Sequence, residues 1–221
     1  MTVAKLGFRD VEGFDQMLIG NCGKLNSIAF TLQGGSMCLY SPVAGMAKTD
    51  APLPAGQHIV SLIFAPNHYH NKGLKPYATL LPQVALVCSD IAKPRLQKQT
   101  GLNFAPLDML QAVLPKNMKL LTPAGLKTGE VWLQVQQGSK VAWVVTDAFC
   151  GKSAPEGEVN TTPSMLGTFP KFGVKDARVF RDWVANQIAE LPPTHLLPCH
   201  GPPVEHPDLG TKLIRLLADT L

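Results

Sequence analysis

The sequence predicts a layered α/β protein, and three observations carry that prediction. Short apolar runs rich in Val, Ile and Leu recur along the chain, of strand length and bounded by turn residues. Between them lie stretches of helical spacing, clearest over residues 177–190, where Phe180, Trp183, Val184 and Ile188 share one face with Leu191 just beyond. Both kinds of segment occur in each half, the pattern of packed sheet and helix layers. The 221 residues are 45% hydrophobic and 16% charged, which suits one globular domain over 1–221 and excludes a disordered chain.

The elements follow in order. Residues 25–32 and 36–43 read as strands of a hairpin, because Gly34-Gly35 separates them. Residues 58–66 form a buried strand, 74–81 a short helix with Pro76 tolerated in its first turn, and 84–88 another strand. Short helices follow over 91–98 and 106–114. Strands are expected over 118–121, 131–136 and 141–146, the last two joined by Gln137-Gly138-Ser139. The Gly/Pro/Ser-rich stretch 151–170 reads as a long loop. Asp176 caps the helix over 177–190, residues 195–199 make a final strand, and Leu213, Leu216, Leu217 and Leu221 line a closing helix.

Composition narrows the function classes. The net charge of +4 is mild, and no basic run or aromatic-basic interleaving points to nucleic acid. The apolar runs are too short to span a membrane, and residues 1–9 lack a signal-peptide pattern. The five cysteines, Cys22, Cys38, Cys88, Cys150 and Cys199, are odd in number and widely spaced, as expected of reduced thiols in a cytoplasm. Each reads first as a small buried hydrophobe.

Four apolar runs deliver polar residues at their carboxyl ends, where open α/β sheets gather ligands. They lead to His68 and His70, to Ser89 and Asp90, to Asp147, and to His200. Two histidines at i and i+2 after a strand suit zinc or iron. Asp147 follows an apolar strand, where a lone charge is costly without a partner. Ordinary readings stand beside these: surface histidines for His68 and His70, a turn cap for Asp147, a turn histidine for His200.

Taken in order, these pieces resemble the metallo-β-lactamase superfamily. Its main motif, H-x-H-x-D-H, is matched by His68-Tyr69-His70-Asn71-Lys72-Gly73. Its proline-glycine-histidine-threonine turn is echoed over Pro123-Ala124-Gly125-Leu126-Lys127-Thr128-Gly129-Glu130. Its bridging aspartate matches Asp147, and its last histidine matches His200-Gly201. The resemblance implies a four-layer αββα sandwich with two sheets inside and helices on both outer faces. It also implies a two-metal site, of which His68, His70, Asp147 and His200 remain. Lys72, Gly73 and Leu126 stand where the superfamily has aspartate, histidine and histidine.

Two main readings follow. The first is a hydrolase holding at most one zinc or iron ion through His68, His70, Asp147 and His200, with Asp147 as ligand or base. An ester, lactone, thioester or phosphodiester lies within the range the resemblance implies, and a small substrate is expected over a polymer. The second is a non-catalytic pocket that binds an anionic metabolite without metal. In it Lys72 replaces lost metal charge by pairing with Asp147; the ordinary reading of Lys72 is an exposed lysine. Lys75, Lys93, Arg95 and Lys127 would favour an anion if they rim the same face, and otherwise form solvated surface. A third, weaker reading is thiol chemistry at Cys150 or Cys199.

Overall fold

The structure, a computed structural model, describes residues 7–55, 59–152 and 158–221. The chain divides into two units, the first ending at Pro115 and the second beginning at Lys116.

The first unit runs β1 (Phe8–Val11), β2 (Phe14–Cys22), β3 (Leu25–Thr31), β4 (Met37–Tyr40), β5 (Val60–Ala65), α1 (Leu74–Leu80), β6 (Ala85–Cys88), α2 (Lys93–Thr100) and α3 (Leu107–Gln111). Its six strands form one sheet in sequence order, antiparallel from β1 to β4 and parallel from β4 to β6. The change of sense sets the connections. Antiparallel neighbours close through tight turns, while the parallel pair β5 and β6 is joined through α1. Gly34 and Gly35 take positive φ, 86° and 87°, in the turn between β3 and β4. Ile63, Phe64 and Ala65 in β5 are fully buried, as a strand covered on both faces must be. The core gathers Leu39, Ile63, Leu74, Tyr77, Leu96 and Phe104.

β1 and β2 escaped the sequence reading. The buried positions of β2 step by three from Phe14 to Met17 before alternation resumes at Ile19, and β1 is bulged at Asp10/Val11, so no clean period of two shows. His58, expected to open β5, lies outside the described residues.

The second unit runs β7 (Met118–Leu121), β8 (Trp132–Gln137), β9 (Lys140–Val145), β10 (Cys150–Gly151), β11 (Pro163–Ser164), α4 (Phe169–Phe172), α5 (Ala177–Glu190), β12 (His195–Pro198), β13 (Val204–Glu205) and α6 (Leu209–Thr220). Five strands form a sheet ordered β13-β12-β9-β8-β7, with β9 and β12 parallel. α5 starts where expected, because Asp176 accepts the Val179 N–H at 3.0 Å. Its buried face of Phe180, Val184 and Ile188 packs into an aromatic core. Trp132 lies 5.4 Å from Trp143 and 5.6 Å from Phe149, centroid to centroid. The stretch 151–170 is not all loop: Gly151 and Pro163 pair in the β10–β11 ribbon, and α4 begins at Phe169, while residues 153–157 lie outside the described set.

Both units mix strand and helix, so the α/β class expected from periodicity is the one observed. No helix among the described residues is long and apolar enough to cross a membrane.

Candidate metal centre

In the second unit, parallel pairing brings two strand ends side by side. Pro198 of β12 pairs with Val145 of β9, so Asp147 and His200 both emerge two residues beyond that pair. His200 Nε2 lies 3.0 Å from Asp147 Oδ1, with both side chains half-buried. Gly201, at φ 77°, turns the chain away at once, and a Cβ there would come within 2.5 Å of the Gly151 carbonyl oxygen.

A buried carboxylate holds the Asp147 loop from behind. Glu130 is 1% exposed, and its Oε1 accepts the Trp132 indole N–H at 2.7 Å. The same oxygen accepts the backbone N–H groups of Thr146 at 3.3 Å and Ala148 at 3.4 Å, the two residues flanking Asp147. Sequence reasoning quoted Glu130 only as the end of a turn motif. The signal that could have found it is a carboxylate next to Val131-Trp132-Leu133, a run that is wholly buried.

In the first unit, the loop after β5 carries His68 and His70. Asn67 is buried, and its Oδ1 accepts the N–H groups of Tyr69 at 2.8 Å and His70 at 3.1 Å, which curls the loop as the strand ends. β4 runs parallel to β5, so Ser41 arrives at the same edge and its Oγ lies 2.6 Å from His70 Nδ1. Ser41 is buried at φ 54°, a left-handed conformation uncommon outside glycine. His68 points to a different partner. Its Nε2 lies 3.5 Å from Arg95 Nη1, and the Arg95 guanidinium stands 4.5 Å from the Tyr69 ring centroid.

The positions that depart from the superfamily motif have been absorbed by the fold. Lys72 is exposed. At Gly73 a Cβ would collide with the Pro42 carbonyl oxygen, so backbone fills the space a side chain would need. Leu126 is 8% exposed within the second unit's core and bridges to Val174. Neither position has kept an empty place for histidine.

The thiol reading fails on burial. Cys199 is fully buried, and burial pushes the Cys150 thiol up, only partly offset by its bond with Ser164. A thiol held protonated is a poor nucleophile.

The fold can now be set beside known proteins. No protein-family model and no curated protein matches the chain in sequence. Solved structures do match in fold. A metallo-β-lactamase from Erythrobacter litoralis, with β-mercaptoethanol in its active site, superposes with TM-score 0.66 at 14% identity, over 99% of each chain. DIM-1 metallo-β-lactamase gives 0.64 at 9% identity, again over 99% of each. A metal-soaked flavodiiron core, Flv1 from Synechocystis sp. PCC6803, gives 0.59 at 13% identity over 96% of this chain, which spans 60% of that one. The chain has the metallo-β-lactamase fold, at 9–14% sequence identity to these structures.

Such a fold raises the question of a metal, and the local donors can be tested for it. His70, Asp147 and His200 each offer one donor atom of a kind zinc or iron takes. Two ligands about 2.1 Å from a tetrahedral ion stand roughly 3.4 Å apart. His200 Nε2 and Asp147 Oδ1 lie 3.0 Å apart as a hydrogen-bonded pair, so only a small outward shift separates them from that spacing. Ser41 on His70 Nδ1 is the supporting bond a ligating imidazole usually has. Within the second unit, Asp147 and His200 are donors of a kind that suits one ion. His68 fits less well, because its Nε2 faces a guanidinium.

Proposed function

We propose that this protein is a hydrolase that uses a single zinc or iron ion and acts on a small anionic substrate. Asp147 and His200 would hold the ion on the second unit, and His68 and His70 are the further ligands the sequence resemblance implies. The Asp147–His200 pair, seated on Glu130, is the observation that carries the reading. The metallo-β-lactamase fold supports it, and so does the metal-soaked state of one structure that shares the fold.

When bound, such an ion supplies Lewis acidity toward a carbonyl or phosphoryl group. The chain's own residues do the rest. His200 Nε2 lies against Asp147 Oδ1, and the same nitrogen is the one it would offer an ion. His70 Nδ1 is engaged with the Ser41 hydroxyl, so Nε2 is the nitrogen it would offer an ion. Asp147 serves as ligand or as the base that orients an attacking water. Lys72 is assigned no role beyond that of an exposed lysine.

The test is metal content of protein purified without chelator, by plasma mass spectrometry, together with zinc titration of the wild type and of Asp147→Ala and His200→Ala. About one equivalent of zinc or iron, lost in either variant, supports the reading. A panel of small esters, thioesters, lactones and phosphodiesters then defines the reaction. No metal bound after titration removes the hydrolase reading and leaves a metal-free pocket.

A further inference from the structure

The turn that carries His200 is held by a stretch of the second unit that lies outside every motif matched above. β12 and β13 form an antiparallel hairpin, with His195 opposite Glu205 and Leu196 opposite Val204, and His200 lies in the turn between them. Asn160 is 8% exposed, and its side-chain amide is bonded at both ends. Nδ2 donates to the Pro203 carbonyl at 3.1 Å, and Oδ1 accepts the Thr162 N–H at 3.2 Å. The main-chain carbonyl of Asn160 accepts the Glu205 N–H at 2.9 Å. Asn160 therefore grips the hairpin at two points just beyond His200.

The same stretch also meets the Asp147 loop. Gly151 pairs with Pro163 in the β10–β11 ribbon, and the Lys152 N–H donates to the Thr162 carbonyl at 3.3 Å. The Gly151 N–H in turn donates to the His200 carbonyl at 3.4 Å. A Cβ at Gly151 would collide with the Pro202 carbonyl oxygen and stand 2.7 Å from Asn160 Nδ2, so two backbones and this amide close on one point. The paired register of β9 and β12 runs to Val145 and Pro198, and these contacts continue the connection past it. Resting on the single-metal reading above, we propose that Asn160 is a positioning residue for the Asp147–His200 pair. It holds the His200 turn against the Asp147 loop, so the order that two ligands need is present before an ion arrives, and binding need not supply it.

The test is zinc affinity at free zinc fixed by a metal buffer, for the wild type, Asn160→Ala, Asn160→Ser and Lys212→Ala, with urea unfolding as a check on the fold. Serine can still accept the Thr162 N–H as a turn residue but falls short of Pro203. Lys212→Ala frees the same stretch from α6, because Lys212 Nζ donates to the Thr161 carbonyl at 2.8 Å. Zinc is expected to weaken by about tenfold in both Asn160 variants, the lower end for groups that support metal ligands, and to hold in Lys212→Ala. In the metal-free protein, the Gly151 and Glu205 amides should exchange faster in Asn160→Ala. The Cys199 amide, bonded to the Val145 carbonyl at 2.9 Å, should keep its protection. Asn160→Ser carries the test should Asn160→Ala not fold. Equal zinc affinity in the wild type and the Asn160 variants overturns the inference and leaves the metal reading standing. A defect as large in Lys212→Ala does the same, since the stretch would then be a general support. If no protein binds zinc, the metal reading falls and exchange decides: faster exchange at Gly151 keeps Asn160 as the residue that holds the pair, and unchanged exchange removes both.

Discussion

The two loop systems that carry the candidate ligands are built to different standards. In the second unit, Asp147 and His200 extend neighbouring parallel strands, and a buried carboxylate fixes the backbone on both sides of Asp147. In the first unit, Ser41 meets the His70 ring and Asn67 holds its backbone, His68 contacts an arginine, and backbone closes the Gly73 position. The difference teaches that two loop systems in one chain can be held by unequal means. A pair embedded in strand ends and buried hydrogen bonds is costly to change. In the loop after β5, Lys72 is exposed and its side chain takes no part in the core.

The sharpest way to break this contrast is at Glu130. Glu130→Ala strands the Trp132 indole N–H and two backbone N–H groups in the interior. Each buried donor left unpaired costs about 1–3 kcal/mol, so a loss of about 3–5 kcal/mol is expected in urea unfolding. Glu130→Gln keeps an acceptor oxygen and should lose much less. Zinc affinity should fall in Glu130→Ala under conditions where it is still folded, because Asp147 loses its backing. If Glu130→Ala unfolds like the wild type, the second unit's loop is not held as described.

The first unit is tested by giving Gly73 the side chain of the motif it resembles. Gly73→His returns the residue type of the superfamily motif, but its Cβ meets the Pro42 carbonyl oxygen. Forcing the backbone aside should cost about 3 kcal/mol, and zinc should stay at one equivalent or fewer. A stable variant that binds two equivalents would show that the loop reopens readily, and the contrast between the halves would lose its basis.

How far the sequence led follows the same division. The strands that deliver the site were legible, because 60–65 and 140–145 are apolar runs that end abruptly in polar residues. His70, Asp147 and His200 stood out because chemistry-bearing residues at buried strand ends are conspicuous. Glu130 and Ser41 did not, since neither has a spacing rule: each acts through a strand that is its neighbour in space only. Arg95 was visible as part of a basic set, but its contact with His68 depends on how α2 meets the loop. That contact is set by Asn71 and Gln99, whose polar side chains carry no periodic signal. β1 and β2 stayed hidden behind a bulge and a broken alternation.

A milder probe sharpens the role of Ser41. Ser41→Ala removes the 2.6 Å bond to His70 Nδ1 and leaves the ring to set its own angle and tautomer. Zinc affinity should weaken by about tenfold, within the range for groups supporting a metal-bound histidine. Ser41→Gly removes the same hydroxyl while relieving the φ of 54°. The two variants should therefore share the zinc defect, with the glycine variant the more stable. Zinc binding that tracks stability rather than the hydroxyl would make Ser41 a residue of the fold alone.

The smallest effect concerns the first unit's core and gives its stability a direction with pH. Burial pushes the Cys88 thiol from 9.0 up to about 12, opposed by Lys93 and aided by Asp90. Burial likewise pushes the Tyr77 hydroxyl from 10.0 up to about 12. Both groups keep their protons in the folded protein at pH values where the unfolded chain has begun to release them. The folded state then binds more protons, so unfolding free energy falls as pH rises. The contribution is complete below about pH 9 and is lost progressively toward pH 12. The urea midpoint should be lower at pH 10.5 than at pH 8, and Cys88→Ala should flatten that decline by removing one of the two groups. A decline equally steep in Cys88→Ala would mean that the thiol ionises alike in both states, and that β6 is less closed to water than its burial indicates.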